Sequence, residues 1–287
     1  MAEARAGRPY LDYLAAVLTP GLRIGADATA GADPNASRAY AFVESQIREA
    51  RRRDFSFSWG GAGLGGTPRD LATFGGRLLA GEIVSRETLE WMQEPVRLAD
   101  GTPAGEDGYQ LGFGLRVERD EDGQRLAHHS GVTDGARSVL LLYPDQGVAV
   151  SILSNALWVS SIERSARTLS APFRPAPPDL PARPCPVEAV RYQGAYGDQP
   201  IEGSARFRVE DGICVGELSV ANAFGAWMNG PPQRDAASVQ LIGIDADGGF
   251  SRAALVTPVG AYELRAGGQE FVSLIGPNRT LRLRFES

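Results

Sequence analysis

The 287-residue chain contains no lysine, so all 29 of its basic side chains are arginine. That absence excludes any mechanism in which this chain supplies a lysine base or a Schiff-base amine. Histidine is almost as scarce. There are two, His128 and His129, side by side. Cys185 and Cys214 are the only cysteines, too few for a disulfide framework. No run of about 18 apolar residues exists, so no membrane span is expected. The start, MAEARAGRPY, lacks the apolar core of a signal peptide. As written, the chain is expected to be soluble and cytoplasmic.

A net charge of -6 argues against nucleic acid or an anionic membrane as the main partner. The basic run Arg51-Arg52-Arg53 is followed at once by Asp54 and reads as a solvated helix end. The chain is 43% hydrophobic and 22% charged, which is globular and leaves room for a sizeable core.

Seven prolines crowd residues 171–186, "APFRPAPPDLPARPCP". Proline fixes φ and removes a donor, so an extended linker is predicted there. It separates residues 1–170 from residues 187–287.

Residues 1–170 mix helix and strand. Helices are predicted over 8–18 and 37–53 from their apolar spacing. A third starts at Thr67, an N-cap followed by Pro68 and Asp70, and ends near Gly81. A fourth starts at Ser85, and a last one covers about 157–170. Between them, "YQLGFGLRVER", "RLAHH", "ARSVLLLYP" and "GVAVSILSN" predict an antiparallel meander. The fold class is therefore α+β: an antiparallel sheet flanked by helices. After the linker come short strands, with a hairpin turn at Asp211-Gly212. A small all-β barrel or sandwich is predicted, with no repeat that would make a propeller.

Gly61, Gly63 and Gly66 satisfy G-x-G-x-x-G ahead of a helix. A dinucleotide fold would need a parallel strand after that helix, but Glu82-Ile83-Val84 leads into another helix start. A phosphate loop would need a lysine after Gly66. A glycine-rich turn feeding a capped helix is the better reading. Nucleotide-dependent oxidoreduction is kept only for this motif.

On a strand, His128 and His129 point to opposite faces. They cannot chelate one metal, and their spacing misses the helical i, i+4 pair. One solvated and one packed histidine is the plain alternative. A triad of Ser130, His129 and Asp134 is geometrically poor, and there is no G-x-S-x-G elbow. No cofactor or metal is predicted.

In order and spacing, the first 170 residues resemble the serine β-lactamase-related family of class C β-lactamases, DD-peptidases and esterase-like hydrolases. The segments are "GRPYLDYLAAVLTPGLRIGADAT", "GAGLGGTPRDLATFGGRLLAGEIVSRETLEWM", "YQLGFGL" and "HHSGVTDGARSVLLLYPDQGVAVSILSN". The resemblance implies that His129-Ser130-Gly131 stands at the family's third motif, Lys-Thr-Gly or His-x-Gly. His129 is then the cleft-facing, catalytic histidine. Ser130 and Gly131 hold the acyl side, and the Val132 N–H donates to the oxyanion, a contribution of roughly 3 kcal/mol. Such a site takes a small acyl substrate: an ester, amide or β-lactam.

The family's Ser-x-x-Lys cannot exist without lysine, and its Tyr-x-Asn element belongs upstream of "GRPY". The family's N-terminal half is expected to lie outside this chain, which alone is expected to be inactive. A degenerate member acting as a binding or structural module is the alternative. Family members are often exported. Exposed apolar sheet edges favour self-association. The tail resembles the lipocalin-like domains appended to some members, with "YQGAYGD" at its start.

Overall fold

The computed structural model describes residues 2–26, 33–44, 46–51, 53–106, 108–175, 177, 179–186, 189–219, 238–245, 248–276 and 279–286. Some stretches read above fall partly outside these: residues 27–29, 45, 52, 176, 178, 246 and 247, and residues 220–237 of the tail. The chain divides into two compact units. One comprises Met1–Ala41 and Arg48–Leu157, the other Phe42–Ile47 and Trp158–Ser287.

The first unit is built on a six-stranded antiparallel sheet of β5 (Gly105–Glu106), β6 (Tyr109–Leu111), β7 (Arg116–Arg119), β8 (Arg125–Thr133), β9 (Ala136–Tyr143) and β10 (Val148–Ser154). Their spatial order follows the chain, with β5 and β10 at the two edges. Helix α3 (Pro68–Ala80) is capped as its sequence predicts. The Thr67 side chain accepts from the Asp70 N–H, and Gly81 ends the helix at φ 81. Helix α4 (Arg86–Met92) is capped by Ser85 in the same way.

Helix α3 lies close against β9 and β10. A Cβ on Gly75 would stand 2.8 Å from Leu140 Cδ1 and 3.0 Å from Ala149 Cβ. Leu78, Leu89, Leu115, Ala127 and Leu142 form the core between helices and sheet. A short pair, β1 (Gly25–Ala26) with β4 (Leu64–Gly65), is also antiparallel. The glycine-rich turn feeds α3, and the next element after α3 is the helix α4 rather than the parallel strand that a dinucleotide fold needs.

Three elements differ from the sequence reading. Residues 8–18 form a short helix, α2 (Tyr10–Tyr13), continued by a π turn over Leu14–Leu18; a separate helix, α1 (Ala2–Ala6), precedes it. The described residues of 37–53 are not helical but form β2 (Tyr40–Val43) and β3 (Gln46–Glu49), which pair with each other. Here tertiary pairing overrides periodicity. Tyr40 N–H donates to Asn155 O at 2.8 Å and Leu157 N–H donates to Tyr40 O at 2.9 Å. The stretch "YQLGFGLRVER" is two strands rather than one. Gly114 sits at φ 73, and the Gly112 N–H closes a turn on Leu115 O.

The second unit contains a closed eight-stranded barrel. Its strands are β11 (Ala189–Tyr196), β12 (Gln199–Glu210), β13 (Ile213–Ser219), β14 (Ser238–Gly243), β15 (Arg252–Thr257), β16 (Gly260–Gly267), β17 (Glu270–Gly276) and β18 (Arg279–Phe285). Each pairs with the next, and β18 returns to β11, so the barrel has no free sheet edge. Asp211 at φ 50 and Gly212 at φ 78 make the β12–β13 turn.

Inward positions alternate along the strands. Ile201, Ala205 and Phe207 are buried, while Glu202, Arg206 and Arg208 face out. Phe207, Phe250, Phe271 and Phe285 fill the interior, with Phe207–Phe250 ring centroids 5.2 Å apart and Phe250–Phe271 5.1 Å apart. Helix α5 (Ile162–Ser170) begins later than the sequence suggests and rests on β16. There Ser161 N–H donates to Val259 O, and Ala261 N–H donates to Ser165 Oγ. The two cysteines, too few for a framework, are nevertheless joined. A Cys185–Cys214 disulfide ties the proline-rich segment to β13. No helix among the described residues is long and apolar enough to cross a membrane.

Candidate active site

Strand β8 carries all four residues singled out from the sequence. Its two faces differ sharply. His128 is buried at 3% exposure, whereas His129 is exposed. The pleat separates the doublet as its adjacency requires.

A polar layer stands on the His128 face. His128 Nε2 lies 2.9 Å from Glu118 Oε1, with the imidazole buried and the carboxylate largely so. Facing a carboxylate, Nε2 carries the proton. His128 Nδ1 has no hydrogen-bond partner among the described residues. Arg116 lies directly across from His128 in the β7–β8 register. Its guanidinium sits 4.7 Å from the Tyr109 ring centroid and donates to Ser130 Oγ at 3.3 Å. Burial pushes the Tyr109 phenol up, helped by its hydrogen bond with Glu106 and opposed by Arg116.

Sequence reasoning missed Tyr109, Arg116 and Glu118. Their signal was the alternation of Arg116 and Glu118 on a strand that returns to His128. It becomes legible only once the turn at 120–124 sets the register.

The opposite face carries His129 and Gly131. A Cβ on Gly131 would meet Ser138 Oγ at 2.6 Å, so the strand pair is close there. Val132 is 60% exposed.

The backbone direction follows from the register. In an antiparallel ladder, alternate residues aim both backbone groups at the same neighbour. Asp120 N–H donates to Gln124 O at 3.0 Å across the β7–β8 turn. The even-numbered residues of β8 therefore aim at β7 and the odd-numbered ones at β9. Strand β9 pairs with β8 as far as Thr133, but β7 pairs with it only as far as His128. Beyond that point the Ser130 C=O and the Val132 N–H face an edge on which no described strand pairs. The hairpin tip beside it is held firmly. Arg53 bridges Asp134 at 2.5 Å, and a Cβ on Gly135 would strike Ala50 and Ala39. Among the described residues, no group of His, Cys, Asp and Glu could hold a metal ion.

The Beta-lactamase family model matches residues 1–170, more than half of the chain, and the chain belongs to that family.

Among solved structures it is similar to a D-stereospecific amidohydrolase from Streptomyces sp., at 22% identity over 54% of this chain and 46% of that one, with a TM-score of 0.45. It is also similar to the octameric penicillin-binding protein homologue from Pyrococcus abyssi, at 13% identity over 97% and 61%, with a TM-score of 0.46. A D-amino acid amidase from Ochrobactrum anthropi matches at 21% identity over 53% and 46%, with a TM-score of 0.40. The chain thus spans 46% to 61% of the length of these structures. No curated protein matches the sequence.

Proposed function

We propose that the chain supplies one wall of an acyl-serine hydrolase site that takes a small ester, amide or β-lactam. One observation carries this reading: the backbone of β8 beyond His128 is open at its outer edge, with the Val132 N–H directed there. A fixed N–H aimed at a developing oxyanion is a preorganised donor, worth roughly 3 kcal/mol of transition-state stabilisation. His129 is the catalytic histidine on the exposed face and Gly131 holds the acyl portion beside it, while Ser130, whose side chain lies on the His128 face with Arg116, contributes its backbone.

The activated serine comes from outside these residues. With no lysine in the sequence, no serine here has the partner that the family chemistry uses. The hydrolase portion is residues 1–170, and the proline-rich linker is residues 171–186. Residues 187–287 are a lipocalin-like appendage without catalytic residues. Its disulfide favours an oxidising compartment over the cytoplasm expected from the sequence.

The absence of lysine also favours a second reading, a degenerate member that survives as a binding or structural module. The experiment is acylation. The isolated chain is expected neither to hydrolyse a chromogenic β-lactam or a nitrophenyl ester nor to react with a serine-directed acylating probe. Stoichiometric labelling of a serine in this chain overturns the reading. A Ser-x-x-Lys and a Tyr-x-Asn encoded in frame or adjacent upstream favour the enzyme, and their absence favours the module.

A further inference from the structure

The end of the family match and the boundary of the fold do not coincide. The Beta-lactamase family model runs to residue 170 and so includes helix α5 (Ile162–Ser170). The second compact unit nevertheless takes in everything from Trp158 onward, that helix included.

Alone, α5 is a weak helix. Its nine residues fall short of the length at which an isolated helix is stable. Ser165 and Thr168 turn their hydroxyls back on the carbonyls of Ser161 and Arg164, which weakens a helix rather than strengthening it. Alongside Ile162 and Ala166, its buried positions are Ser165, Thr168 and Ser170. Such a face needs a partner with matching polar groups.

The barrel supplies them. Ser161 N–H donates to Val259 O at 3.0 Å, and Ala261 N–H donates to Ser165 Oγ at 2.8 Å. Ser161 Oγ also bonds the Tyr262 hydroxyl. The approach is close, for a Cβ on Gly260 would stand 2.8 Å from Ser165 Oγ and 2.9 Å from Ser161 Cβ. Just past the helix the Arg174 side chain is buried. Its Nε donates to Ser170 Oγ at 3.0 Å, and its Nη2 lies 3.6 Å from Glu263 Oε2. The other oxygen of Glu263 holds Arg265 at 2.9 Å. On β15, Arg252 Nη1 donates to Ala171 O at 3.5 Å while its Nε holds Asp245.

The proline-rich segment is fixed at its far end as well. Arg183 O accepts from Phe250 N–H at 2.8 Å, and Arg183 N–H donates to Ser251 Oγ at 3.2 Å. Its guanidinium lies 5.3 Å from the Phe271 ring centroid. Pro184 bridges to Gly249, and Cys185 is bonded to Cys214.

We propose that the barrel is the folding partner of α5. Its β15–β16 face, centred on Ala261 and Glu263, is a docking surface built for that helix, and the chain changes folding unit between Leu157 and Trp158 rather than at the prolines. The barrel then holds the last helix of the family region, and the prolines form a strap whose two ends, at Arg174 and Arg183, both belong to the barrel.

Native-state amide exchange of the full chain in rising urea tests this without a variant. The hydrogen-bonded amides of α5 are expected to join those of β15 and β16 in one opening, with those of β8 and β9 in another. If the α5 amides open with β8 and β9, the proposal is overturned. A single opening common to all of these strands and the helix overturns it too.

Glu263→Gln keeps the shape of the docking face but removes the counter-charge of a buried arginine. Exchange of the α5 amides is expected to quicken by about tenfold or more, with β8 and β9 unchanged. Unaltered exchange in α5, or an equal acceleration in β8 and β9, contradicts the docking. None of these measurements involves catalysis, so their failure is distinct from failure of the hydrolase reading.

Discussion

His128 Nε2 and Glu118 Oε1 meet at 2.9 Å on the buried face of the sheet, one residue from the exposed His129. The pair makes His128 a structural member of the β7–β8 ladder and leaves His129 as the histidine open to a ligand. Glu118→Ala would strand a buried imidazole N–H. The expected cost is about 1–3 kcal/mol, read as a lower denaturant midpoint with an unchanged slope. His129→Ala, on the exposed face, is expected to change stability by no more than about 0.5 kcal/mol. Equal losses for both would contradict the division of roles.

Adjacent glycines on α3 should respond with opposite sign. A Cβ on Gly75 would press on Leu140, Ala149 and Leu142 at 2.8–3.0 Å, while one on Gly76 meets nothing within 4 Å. Gly75→Ala is expected to destabilise by about 1–3 kcal/mol through overpacking. Gly76→Ala is expected to stabilise by about 0.5–1 kcal/mol through helix propensity. Thermal melts of the two variants decide it.

The Cys185–Cys214 bond closes a loop with a sequence separation of 29. Its reduction, or Cys214→Ser with Cys185→Ser, is expected to cost roughly 3–4 kcal/mol on the chain-entropy account. Thiol titration of the denatured, unreduced protein should find no free thiol. Two titratable thiols in protein purified without reductant would contradict both the bond and the oxidising compartment.

Acid should weaken the β9–β10 turn. The hydrogen bond from Arg125 holds the Asp145 carboxyl below the usual carboxylate range, with burial opposing. Arg125 Nη2 lies 2.6 Å from Asp145 Oδ1. A carboxyl lowered by folding contributes stability above its unfolded pKa of about 3.9 and loses it as pH falls through the folded value. The pair is nearly half exposed, so the contribution is at most about 1 kcal/mol. Arg125→Ala should flatten the fall in stability below about pH 4 and change little at neutral pH, as followed by urea unfolding across pH.

Much of the fold was legible in the chain itself. Thr67 and Ser85 announce their helices because a side-chain oxygen before an apolar face is a local signal, and Gly81 closes the first of them through its own φ. Asp211-Gly212 announces its hairpin for the same reason. The segment 37–53 was not legible. Tyr40, Val43 and Ile47 fit a helix by spacing, and it is pairing with β3 and with the distant backbone of Asn155 and Leu157 that makes the segment a strand. The partners of the candidate site were hidden too, because Glu118 reaches His128 through a register that no local pattern states.

The sequence by itself determined the chemistry that this chain lacks. Without lysine there is no Ser-x-x-Lys, and adjacent histidines on a strand cannot share a face, since both statements need only composition and the two-residue period of a strand. Tertiary structure decided which histidine is buried, that the cysteines are joined, and which backbone groups remain open. Each of these depends on where separate strands end beside one another. β7 stops at His128, and β10 has no further described strand beside it.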